Sequence, residues 1–171
     1  NEKKAIGQGK PHYDNLIQVA RIWRAYLMSE FSDNFGPQPI QAFKGVNPGF
    51  NSEKEVYYFI LDELKDAAAK MDVNQPVPSN PNAYDMAYGF KWSQWVKYAN
   101  SMRMRIAMRI SEVDPAKAKA EFEDAANSNM FISTSDDHFK VKEDTGWNPL
   151  SGVMSREWNS QILSATLNNM Y

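Results

Sequence analysis

The stretch that decides the fold runs from Lys91 to Val113 and reads KWSQWVKYANSMRMRIAMRISEV. It contains neither glycine nor proline, and its apolar residues recur every three or four positions, which is the spacing of one helical face. The residues of this face are Trp92, Trp95, Ala99, Met102, Ile106, Ile110 and Val113. Because two tryptophans on one stripe can bury a large apolar area, we expect this helix to anchor a hydrophobic core.

The rest of the chain shows the same helical spacing in four further segments, which predicts helices over about residues 13–31, 53–71, 115–126 and 155–170. The predicted buried face of the first is Leu16, Ala20, Trp23, Leu27 and Phe31, widened by Val19, Ile22 and Tyr26. A face this broad indicates contact with more than one neighbouring helix. Segments rich in proline and glycine separate the helices at residues 33–39 and 72–82. Ser52 and Glu55 form a capping-box pattern, and Asp114 before Pro115 is typical of a helix start.

These segments predict an all-α fold of antiparallel helix pairs, with loops and at most a short extended piece around residues 138–141. No strict repeat of about 34 residues is present, but paired helices with alanines at their contacts are similar to divergent tetratricopeptide repeats. The length of 171 residues is enough for one domain with a substantial core. We therefore expect a single helical domain over residues 1–171.

Composition and charge exclude several classes of protein. The net charge of −2 provides no basic field for nucleic acid, and the absence of cysteine excludes disulfides, thiolate metal sites and cysteine nucleophiles.

No apolar run approaches the roughly 18 residues that a membrane-spanning helix needs. The chain begins at Asn1 without a signal-peptide pattern, so we expect a native start, and any lipid-bearing cysteine, outside this sequence.

Charged residues offer three candidate sites, and each has a simpler structural interpretation. Arg103, Arg105 and Arg109 are expected to pair with carboxylates of adjacent helices, since no phosphate-binding loop accompanies them. The loop acids Asp136, Asp137, Glu143 and Asp144 are expected to be solvated, with a calcium-ligand set as the alternative. His12 and His138 lie far apart in a chain without zinc-binding motifs. We therefore predict no metal site, no cofactor and no enzyme activity.

The helix at Lys91 resembles the signature helix of the SusD/RagB family of outer-membrane nutrient-binding lipoproteins. The matching residues are Trp95, Lys97, Tyr98, Ala99, Asn100, Ser101, Arg103, Arg105 and Arg109. The turn at Asp33–Pro39 is similar to the turn after the corresponding family helix through Asp33, Phe35, Gly36 and Pro39, although Pro37 and Ile40 depart from it. The resemblance runs from about Tyr13 to Tyr171. Because family members are usually longer, it implies the N-terminal part of a larger protein.

Aromatic residues are the candidate ligand contacts. Trp23, Trp92, Trp95 and Trp158 lie on apolar stripes and are expected in the core. Trp147, Tyr84 and Tyr88 lie in predicted loops, where binding residues concentrate. Sugar rings have apolar C–H faces that pack on exposed aromatic rings. We therefore predict these three residues as ligand-binding.

The resemblance also implies a function. The protein would bind an oligosaccharide or another nutrient oligomer at the outward face of the outer membrane, held by a lipid anchor outside this chain. It would act as a lid over a SusC-like TonB-dependent transporter, without nucleic acid or covalent chemistry. The alternative is a helical-repeat domain that binds a protein segment in a groove, with no sugar involved.

Overall fold

The computed structural model describes residues 12–41, 49–79 and 85–140. All of these residues belong to a single compact unit. The helix predicted over residues 155–170, and Trp158 within it, lie outside the described residues. A single helical domain over residues 1–171 stays a prediction.

Four α-helices make up the described structure: α1 (Tyr13–Phe35), α2 (Glu53–Lys70), α3 (Trp92–Arg109) and α4 (Pro115–Asn127), followed by a short 3-10 helix at Ser135–Asp137. Within the described ranges there is no sheet, only one antiparallel bridge between Gln38 and Asn51. The extended piece predicted at residues 138–141 forms no strand over its described part, residues 138–140. The prediction of an all-α fold is confirmed.

Consecutive helices pack side by side and run antiparallel. Early residues of α1 meet the end of α2, since Asn15 Nδ2 donates to the carbonyl of Asp72 at 2.7 Å. Late residues of α1 meet the start of α2, since the Tyr57 hydroxyl donates to Asp33. The same reversal joins α3 to α4, where Arg103 contacts Glu121 at 2.7 Å.

Helices two apart in the chain run parallel. Arg109, at the end of α3, pairs with Asp33 near the end of α1 at 2.8 Å. Lys65 of α2 pairs with Asp124 of α4 at 3.1 Å. Helix α1 thus contacts α2 and α3, and α2 contacts α3 and α4. This is the layering of tetratricopeptide-like helix pairs, as the sequence predicts.

The predicted helix ends are confirmed at α2 and α4 and displaced at α1. Glu55 N–H donates to the Ser52 hydroxyl at 3.4 Å, and Ser52 N–H donates to the Glu55 carboxylate at 2.7 Å, completing the capping box. Asp114 caps α4 by accepting from Lys117 N–H at 3.1 Å. Helix α1 continues four residues past its predicted end, to Phe35, and stops at Gly36, whose φ of +79° suits glycine.

The core lies where α2 and α3 meet their neighbours. Its largest fully buried apolar side chains are Ile22, Val56, Ile60, Leu61 and Leu64. Trp92 and Trp95 are 3% and 4% exposed, which confirms the core prediction for α3. The predicted buried face of α1 is right at Ile22, which is fully buried, but wrong for most of its main stripe. Its residues Trp23, Leu27 and Phe31 are 37%, 50% and 46% exposed, because α1 turns a different face inward. That inward face is Asn15, Gln18, Ile22, Ala25, Ser29 and Ser32.

Candidate functional site

The turn that leads into α3 is built around the buried carboxylate of Asp85. Its two oxygens accept hydrogen bonds from Tyr88 N–H at 3.1 Å, Phe90 N–H at 2.8 Å and Trp95 Nε1 at 2.7 Å. Gly89 and Phe90 have φ angles of +58° and +54°, so the chain reverses sharply here. A glycine adopts this conformation readily, whereas the Phe90 backbone must be held in it by the surrounding bonds. Asp85 therefore fixes the turn to the first part of α3.

Tyr88, a predicted ligand contact, lies in this turn as the sequence predicts, but it is buried. Its ring meets those of Trp95 and Phe139 edge-on, with centroids 5.5 Å away in both cases. The Tyr88 hydroxyl donates to the carbonyl of Asp137 at 2.9 Å, and burial raises the pKa of the phenol. Only 7% of the residue is exposed. In the described structure Tyr88 packs within an aromatic cluster, and its role toward a ligand stays a prediction.

Asp137 ties the segment after α4 to α3. Its carboxylate accepts from Lys97 Nζ at 2.7 Å and from Ser133 N–H at 3.3 Å, and Lys97 lowers the pKa of the carboxyl. The residue is 3% exposed, so the expectation of a solvated acid is wrong for Asp137. A buried carboxylate needs such a partner, and the sequence does not reveal which lysine provides it. Glu143 and Asp144 lie outside the described residues.

A pocket of about 450 Å³ opens beside this turn, between residues 73–77 and residues 88–94. We call it the Trp92 pocket. Trp92 Nε1 donates to the carbonyl of Gln75 at 2.8 Å and so joins the two walls. Val73 and Val77 expose apolar surface, and the Gln75 and Ser93 side chains provide amide and hydroxyl groups. Apolar surface with a few polar groups is the usual make-up of a small-molecule site.

The arginines of α3 are committed to ion pairs, as the structural interpretation predicts. Arg103 is 3% exposed and pairs with Glu121 at 2.7 Å and Asp124 at 2.6 Å. Burial raises the pKa of Glu121, but bonds from Arg103 and Lys117 bring it below its ordinary value. Arg109 pairs with Asp33 and Arg105 lies 3.7 Å from Glu30. These ion pairs join α3 to α4 and to α1.

Other kinds of site have no support in the part of the chain that the structure describes. No group of three or more His, Asp or Glu side chains in residues 12–41, 49–79 and 85–140 is placed to hold a metal ion. No helix in those ranges combines the length and apolar character needed to cross a bilayer.

Tyr84 and Trp147, the other two predicted ligand contacts, lie outside the described residues. The sequence interpretation missed the Trp92 pocket itself. The sequence did contain an indication of this pocket. Val73 and Val77 lie on either side of Gln75 in a proline-rich loop, outside the helices whose apolar faces pack against each other. Trp92 was assigned to the core only, although its indole N–H also joins the pocket walls.

Comparison with known proteins identifies the family. The family model described as SusD-like, SusD and RagB outer membrane lipoprotein, matches residues 2–170. A chitin-binding SusD homolog from Flavobacterium johnsoniae is 31% identical, with a TM-score of 0.76 over 91% of this chain and 34% of its own. A SusD homolog from Parabacteroides distasonis is 30% identical, with a TM-score of 0.76 over 92% of this chain and 32% of its own.

A SusD homolog from Bacteroides uniformis is 30% identical, with a TM-score of 0.74 over 84% of this chain and 30% of its own. The chain thus spans about a third of the length of these relatives. No match was found among curated proteins. The match over nearly all residues, together with the shared fold, shows that the chain belongs to the SusD-like family of SusD and RagB outer membrane lipoproteins.

Proposed function

We propose that the full-length protein is a glycan-binding component of the outer membrane, without enzyme activity. The observation that carries this proposal is the family match over residues 2–170, joined to a 31% identical homolog that is itself named as chitin-binding. The described structure is compatible with a binding role, because its charged groups are held in structural pairs and its pockets combine apolar and polar surface. Glycan capture needs no covalent chemistry.

The Trp92 pocket is the proposed contribution of this chain to the ligand site. Its exposed valines offer apolar surface to the C–H face of a sugar, and Gln75 and Ser93 offer donors and acceptors to hydroxyl groups. Tyr88 forms part of the pocket wall. Tyr84 comes shortly before that wall in the chain and is proposed as a further contact. Trp147 is proposed as a stacking residue.

A TonB-dependent transporter of the SusC type is the proposed partner. The protein would face outward, be held by a lipid anchor outside this chain, and close over the transporter to deliver the glycan. Support comes from the family's description as outer membrane lipoproteins. Neither nucleic acid nor a cofactor has a part in this proposal.

Titration calorimetry on the full-length protein tests glycan binding. The panel would contain chitin, xylan, starch and mannan oligosaccharides, with wild type, Val77→Arg and Met86→Arg compared at each. Val77 and Met86 are 50% and 52% exposed, so both substitutions should leave the fold intact, but only Val77 lines the Trp92 pocket.

At least one oligosaccharide should bind wild type and Met86→Arg alike. Val77→Arg should bind it about tenfold more weakly, since a bulky charged side chain would obstruct an apolar contact surface. Absence of binding across the panel would remove the proposed function. Equal affinity of wild type, Val77→Arg and Met86→Arg would show that the glycan binds outside the Trp92 pocket.

The alternative function, a helical-repeat domain that binds a protein segment, has one observation in its favour. Four large apolar side chains, Trp23, Leu27, Phe31 and Phe35, follow one another at four-residue steps along α1 and are 37–72% exposed. A row of this kind is typical of a surface that contacts another protein surface.

A further inference from the structure

A second pocket lies at the opposite end of α3, where the ends of three helices meet. It has a volume of about 290 Å³ and is bordered by the start of α2, the end of α3 and the start of α4. We call it the helix-end pocket. At about 1.5 Å per residue, the length of α3 separates it from the Trp92 pocket by roughly 25 Å. It is therefore a site of its own, and its volume suits a ligand of about one ring.

Two tyrosines with fixed hydroxyl groups form one side of this pocket. The Tyr58 hydroxyl donates to the Asp114 carboxylate, and the Tyr57 hydroxyl donates to Asp33. The bond to Asp114 raises the pKa of Tyr58 and lowers the pKa of Asp114. Burial and the bond to Asp33 raise the pKa of Tyr57 as well. Both phenols therefore stay protonated, and each phenol oxygen can still accept a hydrogen bond from a ligand hydroxyl.

The charges around the pocket are balanced. Arg109 is paired with Asp33 at 2.8 Å, and Lys117 is paired with Glu121 at 3.0 Å. The Lys54 ammonium lies 5.3 Å from the centre of the Tyr58 ring, a cation–π contact. Because carboxylates accompany the cations, the pocket has donors and acceptors but no strong net field. Such a lining favours a neutral hydroxylated ligand over an anion.

Apolar surface completes the pocket at the end of α3. Val113 is 85% exposed and Ile110 lies beside it in the lining. The position of Val113 is unusual for an apolar side chain, since the preceding apolar residues of its stripe are buried. An exposed valine next to fixed hydroxyl, ammonium and guanidinium groups matches the two requirements of a pyranose, an apolar C–H face and a rim of hydroxyls.

We propose that the helix-end pocket is a second saccharide site, which takes one neutral sugar ring or the end residue of an oligosaccharide. The sugar's C–H face lies on Val113 and Ile110. Its hydroxyls bond to the Tyr58 hydroxyl, Lys54 and Arg109. This inference rests on the proposed glycan-binding function and adds a subsite distant from the Trp92 pocket.

The test uses the full-length protein with labelled isoleucine and valine methyl groups. Methyl glycosides of glucose, galactose and N-acetylglucosamine are titrated while methyl signals are followed by NMR. The Ile110 and Val113 signals should shift with at least one sugar. Tyr58→Phe should weaken that binding about fivefold, as expected for one lost hydrogen bond. Val113→Arg should weaken it more, and the exposed-surface control Met86→Arg should leave it unchanged.

Two contrary results separate the claims. If oligosaccharides bind the full-length protein but Ile110 and Val113 do not respond, and Val113→Arg keeps wild-type affinity, the second site is wrong while glycan binding stands. If no mono- or oligosaccharide binds, the proposed function falls and the second site falls with it.

Discussion

Helices α1 and α3 have similar apolar stripes in their sequences, but the stripe of α3 is buried and that of α1 is exposed. The stripe of α3 is buried from Trp92 to Ile110. The stripe of α1 is exposed, with Phe35 72% and Leu27 50% accessible. Periodicity thus identified both helices correctly. For α1, however, it predicted the exposed stripe as the inward face, and only the wider face included the buried Ile22.

The inward face of α1 can be buried because its polar side chains are hydrogen-bonded, both within α1 and to the end of α2. Asn15 bonds to both backbone groups of Asp72, which lies just past the end of α2. The Ser29 hydroxyl donates to the carbonyl of Tyr26 at 2.7 Å. A buried polar group costs little when it is bonded, and small side chains let α1 approach α2 closely. The apolar stripe is thereby left available for another surface.

The largest effect should come from the buried cation of α3. Arg103→Met leaves Glu121, which is 6% exposed, with Lys117 as its remaining cationic partner. It should lower the free energy of unfolding by up to about 3–5 kcal/mol. Arg105→Met is the matched control, because its side chain is 61% exposed and its pair with Glu30 spans 3.7 Å. It should change stability by less than about 1 kcal/mol. Urea denaturation measures both, and equal losses would contradict the account of α3.

The second effect compares the two faces of α1 directly. Ile22 is fully buried and Leu27 is 50% exposed. Ile22→Ala should destabilise by about 2–5 kcal/mol through cavity formation, whereas Leu27→Ala should cost less than about 0.5 kcal/mol. The measurement is denaturation of this 171-residue chain. A large loss from Leu27→Ala would show that the stripe of α1 is covered within this chain.

A smaller effect should follow from the polar inward face. Asn15→Ala leaves the N–H and carbonyl of Asp72 without their partners and should cost about 1–3 kcal/mol. Asn34→Ala removes a side-chain bond of the same type at an exposed position, to the carbonyl of Glu30 at 2.7 Å, and should be nearly neutral. Hydrogen exchange at the Asp72 amide gives a local readout. It should accelerate in Asn15→Ala alone.

The smallest effect concerns pH and the Lys97–Asp137 pair. The pKa of Asp137 is lowered in the folded protein, mainly by the bond from Lys97. Its stabilisation is therefore present above the unfolded-state pKa of about 3.9 and is lost as the pH falls toward the lower folded-state value. Asp137→Asn should flatten the fall in urea midpoint below about pH 4. Asp136→Asn, which removes one carboxylate at the exposed neighbouring residue, is the control. An equal flattening in both variants would contradict the role of the Lys97–Asp137 pair.

Much of the fold was predictable because its signals are local. The capping box of Ser52, the Asp114–Pro115 start and the stripe of α3 each depend on residues close in sequence. All are confirmed except the last residue of the stripe, Val113, which is 85% exposed. The end of α1 was predicted four residues too early. The helix continues to Phe35 and ends where Gly36 adopts a left-handed conformation. The sequence interpretation assigned the break to the whole segment 33–39, whose two prolines follow that turn.

The candidate sites were less predictable because they depend on contacts between distant residues. The burial of Tyr88 requires Phe139 and Asp137, which lie about fifty positions away in sequence. The helix-end pocket brings together Tyr58 and Asp114, which a sequence pattern does not connect. The family resemblance, by contrast, was readable from the Ala99-Asn100-Ser101 segment and the arginines that follow, and the family match confirms it.

The most direct test of the central claim is co-purification of the full-length protein, tagged at its native locus, from gently solubilised outer membranes. The proposal of a glycan-binding component that works with a transporter predicts a large β-barrel of the TonB-dependent class in near-equal amount. Recovery of a soluble protein in its place, with no barrel, would contradict the proposal and favour a helical-repeat interaction domain.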